Sequence, residues 1–404
     1  MSMYPLLNFP DVFPRWATDV GRVLEPSSGV KDVGWQIDDV PPARWMNWLQ
    51  NMAYEWVKYN AKLQLTNWSM EEYATGPTDP KGIIYHPERG VWFLLDGTAD
   101  SKIWTSIDGS QYYLDETITG AIPQEEAIAI DSTYAITCSD DGLEYGYDGL
   151  AWASISNATM GLGVGPKSVV TKYSTSNLII VATATNVVAR ETTGITGGSW
   201  SAATTQPPAY PAGTPTDTHL IYGNGSTVFL LQSHNSLYTS RLYISADDGD
   251  NWANVGTHPL ATYNSRCIAR NSETGRLIVG GYTSAAPVIQ YSDDDGDTWT
   301  TATIKLGEYS DVDCLVTSLY YCGNDIWIAG GTSPDWSTVG LGSIGAFFIS
   351  DDNGVTWTLI NITHDLNSVT GFIKQIACNG QYLVGVPQGF NGVAISLRLA
   401  EYTV

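Results

Sequence analysis

Positive charge is scarce in this chain: 19 lysines and arginines stand against 42 aspartates and glutamates, for a formal net charge of -23 at pH 7. So acidic a surface repels a phosphate backbone or an anionic bilayer at long range, which excludes nucleic acid as a partner and argues against membrane insertion. Charge of either sign is also low, at 15% of residues against about 25% in an average globular domain. No apolar run approaches the roughly 18 residues of a membrane-spanning helix. The start, MSMYPLLNFPDVFPRW, has no basic region followed by an apolar stretch, so the expectation is a protein made in the cytoplasm. Paired cysteines are missing too. Cys138, Cys267, Cys314, Cys322 and Cys378 are odd in number and without a CxxC pair, which excludes a disulfide framework and a zinc site and leaves buried thiols as the simpler reading. His86, His219, His234, His258 and His364 show neither HxH nor HExxH spacing, and there is no G-x-S-x-G elbow or phosphate loop. No metal, cofactor or catalytic residue is therefore assigned.

Aromatics and glycine are abundant: 15 Trp, 23 Tyr and 40 Gly point to short aromatic strands joined by tight turns. Three stretches, ISADDGDNW, YSDDDGDTW and ISDDNGVTW, fit one pattern, S-x-D-x-G-x-x-W. The first supplies Ser245, Asp247, Gly249 and Trp252; the second Ser292, Asp294, Gly296 and Trp299; the third Ser350, Asp352, Gly354 and Trp357. The pattern makes physical sense as a hairpin turn, in which aspartate caps backbone N–H groups, glycine takes a positive φ and tryptophan packs inward at the start of the return strand. A calcium loop needs six or more converging oxygens, and only one aspartate per copy is constant. The pattern resembles the Asp-box, the bacterial neuraminidase repeat of β-propellers. Weaker copies end at Tyr112, Trp152 and Trp200.

Between copies the order strand, turn, strand, loop, strand, acidic turn, strand recurs, which describes a four-stranded antiparallel blade repeated around an axis. The expectation is an all-β fold, a seven-bladed β-propeller with Asp-box turns over residues 66–404. Six blades end in the six aromatics above, and the last three strands lack a fourth. TNWSMEEY, residues 66–73, is expected to supply it by pairing with the C-terminal strand. Residues 1–65 are expected to form a separate segment with one helix at about 43–63.

Asp-box propellers include sialidases, but the aromatic-Arg-Ile-Pro motif of that family is absent here, and Arg266, Arg270 and Arg276 crowd one blade instead of spreading around the ring. Glycan hydrolysis by two carboxylates remains an alternative, although among 42 acids close pairs are unavoidable and carry little information. The longest insertions fall on the face opposite the Asp-boxes. Tyr238, Tyr282 and Trp336 lie in or beside them, and are the candidates for stacking on a receptor sugar.

The N-terminal strings FPRWATDVGRVLEPSSGVKD and GWQIDDVPPARWMNWLQNMAYEWVKYN resemble an attachment module of tailed-bacteriophage tail proteins, matching it at Trp16, Ala17, Thr18, Val23, Glu25, Pro26, Gly34, Trp35, Pro41, Pro42, Ala43, Asn47 and Trp48. The resemblance implies a virion protein that meets other tail or capsid proteins. It covers about 50 residues, and Ile37-Asp38-Asp39-Val40 replaces the family's usual turn. From the residues alone, Trp45, Leu49, Met52, Trp56, Tyr59 and Leu63 recur at alternating steps of four and three, a heptad seam that Trp48 widens. The stripe suits either a homotrimer or a helix docked on its own propeller. The expected function is a phage virion structural protein, a tail fibre, tail-tip or decoration component, displaying its propeller toward a host-surface glycan or protein. A depolymerase acting on the capsule is the alternative.

Overall fold

A computed structural model describes residues 69–398, apart from 73–76, 108, 110, 148–150, 173–177, 197, 211–212, 224, 235–238, 256–262, 284–285, 307–313, 324, 334–343, 362–372, 380–381 and 388–392. The expected helix at 43–63, with Trp45, Trp48, Leu49, Met52, Trp56, Tyr59 and Leu63, lies outside the described residues, as do Tyr238 and Trp336. The described strands belong to one compact unit, Trp68–Leu397.

Every described element is a strand, and the strands form seven sheets. Sheet 1 comprises Pro80–His86, Val91–Asp96, Ser101–Ser106 and Tyr113–Ile118. Sheet 2 comprises Pro123–Ile130, Ala135–Ser139, Gly142–Gly146 and Ala153–Ser156. Sheet 3 comprises Pro166–Thr171, Ile179–Thr183, Val188–Glu191 and Trp200–Ala202. Sheet 4 comprises Asp217–Tyr222, Val228–His234, Thr239–Ser245 and Ala253–Asn254. Sheet 5 comprises Asn264–Arg270, Leu277–Tyr282, Pro287–Ser292 and Thr300–Thr301. Sheet 6 comprises Leu315–Gly323, Ile326–Ser333, Ile344–Ser350 and Thr356–Asn361. Sheet 7 comprises Ile373–Cys378, Tyr382–Pro387 and Val393–Arg398, and its fourth strand is Ser69–Glu72 from the other end of the chain.

The second strands read as unbroken apolar runs, VWFLLD in sheet 1 and IIVAT in sheet 3, and each is buried throughout. Burial on both faces removes the usual alternation. Successive side chains point to opposite faces, so Ile179 and Val181 enter a core with Ile136 and Leu143 of sheet 2, while Ile180 and Ala182 enter one with Val228 and Leu230 of sheet 4. The core is thus divided into layers between neighbouring sheets. First strands of successive sheets lie side by side, and Ile373–Cys378 lies beside Pro80–His86, which closes the ring.

Two edges are covered in a way that a plain four-stranded blade does not require. Thr303–Lys305 leaves sheet 5 and pairs in parallel with Thr356–Asn361, giving sheet 6 a fifth strand. Thr205 likewise bridges Asn251 of sheet 4. Such cover keeps unpaired N–H and C=O groups from templating another chain.

The sheet 7 edge strand pairs Ser69 with Ser396, Met70 with Ile395, Glu71 with Ala394 and Glu72 with Val393. Deleting residues 69–72 removes this ladder. At about 1 kcal/mol net per hydrogen bond, the expected loss is on the order of 2–4 kcal/mol of unfolding free energy, read as a lower urea midpoint. An unchanged midpoint would show that the pairing contributes nothing to closure.

Candidate functional site at the axial mouth

The sheets have two unlike ends, and the three S-x-D-x-G-x-x-W turns occupy one. In all three, the serine Oγ accepts the N–H of the glycine, at 3.0, 2.8 and 2.9 Å for Gly249, Gly296 and Gly354. The same Oγ donates to the aspartate at 2.7 Å in the first turn and 2.8 Å in the other two. Each aspartate accepts a backbone N–H four residues on, from Asn251, Thr298 and Thr356, at 2.8 Å. Each tryptophan Nε1 donates to the glycine carbonyl at 2.9 Å. Hydrogen bonds from Asn251 and Ser245 outweigh desolvation and hold the Asp247 carboxyl down to about 2.

Positive φ extends to the residue before each glycine, Asp248, Asp295 and Asn353, which the pattern alone does not reveal. Gly249 also lies against the preceding sheet, where a Cβ would come within 2.8 Å of Ile180. Asn353 reaches back too, accepting from Trp327 Nε1 at 3.0 Å and from Asn271 Nδ2 at 2.9 Å. These turns brace one sheet against another, while the carboxylates of Asp247, Asp294 and Asp352 are engaged within their own turns.

The opposite end holds the starts of the first strands, since Asp217 pairs with Ser233 whereas Val228 pairs with the box residue Ser245. Six of the seven first strands slip register there, between Pro80 and Gly82, Pro123 and Ile128, Pro166 and Ser168, Ser265 and Cys267, Val316 and Ser318, and Ile373 and Gln375. A bulge leaves one residue unpaired and re-aims its side chain. In four cases that residue is a cation: Lys81, Lys167, Arg266 or Lys374.

Three of these cations meet acids from other sheets. Lys374 Nζ is 2.8 Å from Glu125 Oε1, and Lys81 Nζ is 3.7 Å from the same oxygen and 2.8 Å from Asp79 Oδ2. Arg266 is 3.3 Å from Asp217 Oδ2, which also accepts from Ser233 Oγ. Lys167 donates to Gln124. Glu126 Oε2 lies 3.6 Å from His219 Nδ1, linking sheet 2 to sheet 4 past sheet 3. His219 Nε2 is buried, with no hydrogen-bond partner among the described residues.

Environment separates the two adjacent glutamates. Burial works to raise the Glu125 carboxyl, but Lys374 and Lys81 outweigh it and hold it below its ordinary value. Burial pushes Glu126 well above the ordinary range, against the pull of Arg266. Burial likewise drives His219 down to about 4, despite Asp217, so its ring is neutral. Glu126 also holds φ at 59°, a left-handed conformation that costs on the order of 1 kcal/mol in a non-glycine residue. Strain and perturbed titration in one place are the marks of a functional site.

Tyr282 alone of the three aromatic candidates is described. It ends the second strand of sheet 5, its hydroxyl accepting from Asn264 Nδ2 at 2.6 Å, and it lies close enough to influence Arg266. The Pro/Thr-rich segment after sheet 3 is partly packed, since Tyr210 is buried and donates to the Thr239 carbonyl at 2.6 Å. The basic mouth has a sequence signal, a cation second or third in the strand in Pro80-Lys81-Gly82, Pro166-Lys167-Ser168, Ser265-Arg266-Cys267 and Ile373-Lys374-Gln375. The signal emerges only when the first strands are aligned with one another. Cys138, Cys267, Cys314 and Cys378 are buried and Cys322 half-buried, all as free thiols. Among the described residues no group of His, Cys, Asp and Glu is placed to hold a metal.

No protein-family model matches the sequence, and no curated protein resembles it in sequence. Solved structures do resemble the fold. YCF48 bound to D1 peptide superposes with a TM-score of 0.58 at 14% identity, over 82% of this chain and 97% of that one. A GH74 xyloglucanase from Xanthomonas campestris gives 0.62 at 13% identity, over 83% of this chain and 54% of that one. The WD40 beta propeller domain of Doa1 gives 0.54 at 12%, over 83% and 98%. The fold is a β-propeller. At these identities the likeness speaks to the propeller's architecture alone.

Proposed function

We propose that this propeller has seven blades, clasped by Ser69–Glu72, and that it is the recognition domain of a tailed-bacteriophage virion protein, joined to the particle through residues 1–65. The observation that carries the recognition role is the axial mouth, where bulges aim Lys81, Lys167, Arg266 and Lys374 out of their ladders. Four cations gathered at one end of a chain of net charge -23 suit ligand capture better than mere solubility. The virion assignment is supported by the N-terminal strings quoted above, and the trimer by the wide apolar stripe from Trp45 to Leu63. A propeller that holds a peptide, YCF48, supports a binding role for such a scaffold. Glu125 and Asp217 are paired with cations, which favours binding over hydrolysis.

One observation favours the second reading, glycan hydrolysis: Glu126, whose carboxyl burial pushes well above the ordinary range, lies close enough to Asp217 for the two to interact, and a raised carboxyl beside a second acid is one way to divide acid and base roles. Antibody raised against the full chain should label purified phage particles on the tail in electron microscopy, and unlabelled particles would remove the virion assignment. Capsular polysaccharide incubated with the protein should gain no reducing ends. Release abolished by Glu126→Gln would put hydrolysis first.

A further inference from the structure

We infer that Lys81 and Lys374 form a seat for one carboxylate, that Glu125 fills it in the free protein, and that a uronate sugar of an acidic polysaccharide takes its place. The seat deepens the recognition role proposed above and depends on it. Lys374 is 1% exposed and the Lys81 side chain 15%, whereas that of Glu125 is 47% exposed. The cations are thus built into the wall and the anion faces solvent. A buried ammonium costs several kcal/mol if left alone, so a carboxylate has to be present, but its covalent origin is immaterial. Glu125 can yield its place because residues between Pro123 and Ile128 take no part in the ladder to the second strand of sheet 2. Moving that segment breaks no cross-strand pairing.

The seat suits one negative charge. Arg266, the group with the fork geometry that phosphate favours, is committed to Asp217. Asp79 already lies 2.8 Å from Lys81 Nζ, so the two lysines leave one charge to be met; beyond them burial favours the uncharged form of Glu126, and His219 Nε2 is buried with no hydrogen-bond partner among the described residues. Such groups match hydroxyls, and Tyr282 adds an aromatic surface near Arg266 on which a sugar ring stacks. At about 0.15 M salt, charges farther than roughly 8 Å are screened, so the acidic remainder of the surface does not oppose a contact made at about 3 Å.

The test is calorimetric titration of the full chain, at that ionic strength, with a galacturonate oligosaccharide, its neutral galactose counterpart and a short peptide with a free C-terminal carboxylate. Only the galacturonate oligosaccharide should bind. Glu125→Ala should bind it about tenfold more tightly, an effect of about 1.4 kcal/mol, because the internal competitor is gone. Lys374→Met should lose detectable binding. Lys81→Gln, at a less buried position, should weaken it about tenfold and serves if Lys374→Met does not fold. Unchanged or weaker binding by Glu125→Ala, equal binding of the neutral sugar, or tighter binding of the peptide would each overturn the inference. Unlabelled particles sink the virion assignment without touching the seat, and a silent Glu125→Ala titration does the reverse.

Discussion

Replacing Trp357 with alanine should lower the unfolding free energy by about 3–5 kcal/mol. The indole is fully buried, in the layer between sheets 5 and 6 with Ile278, Trp327 and Phe348. Its Nε1 bonds to the Gly354 carbonyl, and its backbone lies opposite Ile304 of the fifth strand. Truncation therefore opens a cavity, releases the turn glycine and loosens the strand that covers the sheet edge. Trp299 occupies the same place in its turn and makes the same bond to Gly296, but it is only half-buried. Its replacement should cost about 1–2 kcal/mol, in proportion to the smaller apolar area withdrawn from water. Urea unfolding at constant m-value measures both. Equal losses would mean that the turn, and not the burial, sets the energy.

Replacing Glu144 with glutamine should make stability less dependent on pH. Glu144 is buried in sheet 2, where Thr137 and Ser139 donate hydrogen bonds to it. Burial pushes its carboxyl up to about 7, further than those two hydroxyls can lower it. The folded protein therefore holds a proton that the unfolded chain, with an ordinary carboxyl near 4.5, has already released. That contribution is fully present below about pH 4.5 and is lost as pH rises through 7. At 1.36 kcal/mol per pKa unit the loss by about pH 8 is on the order of 3 kcal/mol. The glutamine variant should match the native chain at about pH 5 within about 1 kcal/mol, and exceed it at about pH 8 by roughly 2 kcal/mol. Parallel stability curves for the two proteins would show that Glu144 does not titrate in this window.

The S-x-D-x-G-x-x-W turns are legible in the sequence because everything they need lies within a short local stretch. Ser245, Asp247, Gly249 and Trp252 close their hydrogen bonds among themselves, so local spacing is enough to specify them. The strands are legible too, since an apolar run such as IIVAT can be stable only between two covering layers. Two features are not. The left-handed φ at Asp248, Asp295 and Asn353 belongs to residues that vary among the three copies. The fifth strand at Thr303–Lys305 arises because the chain crosses from one sheet to the next along an exposed edge, and no pattern in TIK announces that.

By itself, then, the sequence determined the repeated turn, the buried second strands and the all-β class, since each follows from contacts between near neighbours in the chain. Tertiary structure alone decided the mouth. Lys81, Glu125, Arg266 and Lys374 are scattered along the chain, and the one regularity among the cations, a place near the start of a first strand, emerges only when those strands are aligned with one another. Whether any of them faces the axis depends on a one-residue slip of register, which sends a side chain to one face or the other. Once the ring closes, Lys374 stands 2.8 Å from Glu125. Coulomb energy falls with distance and rises as water is excluded, so charges that are unrelated in sequence become one site only when the fold brings them within a few ångströms and buries them.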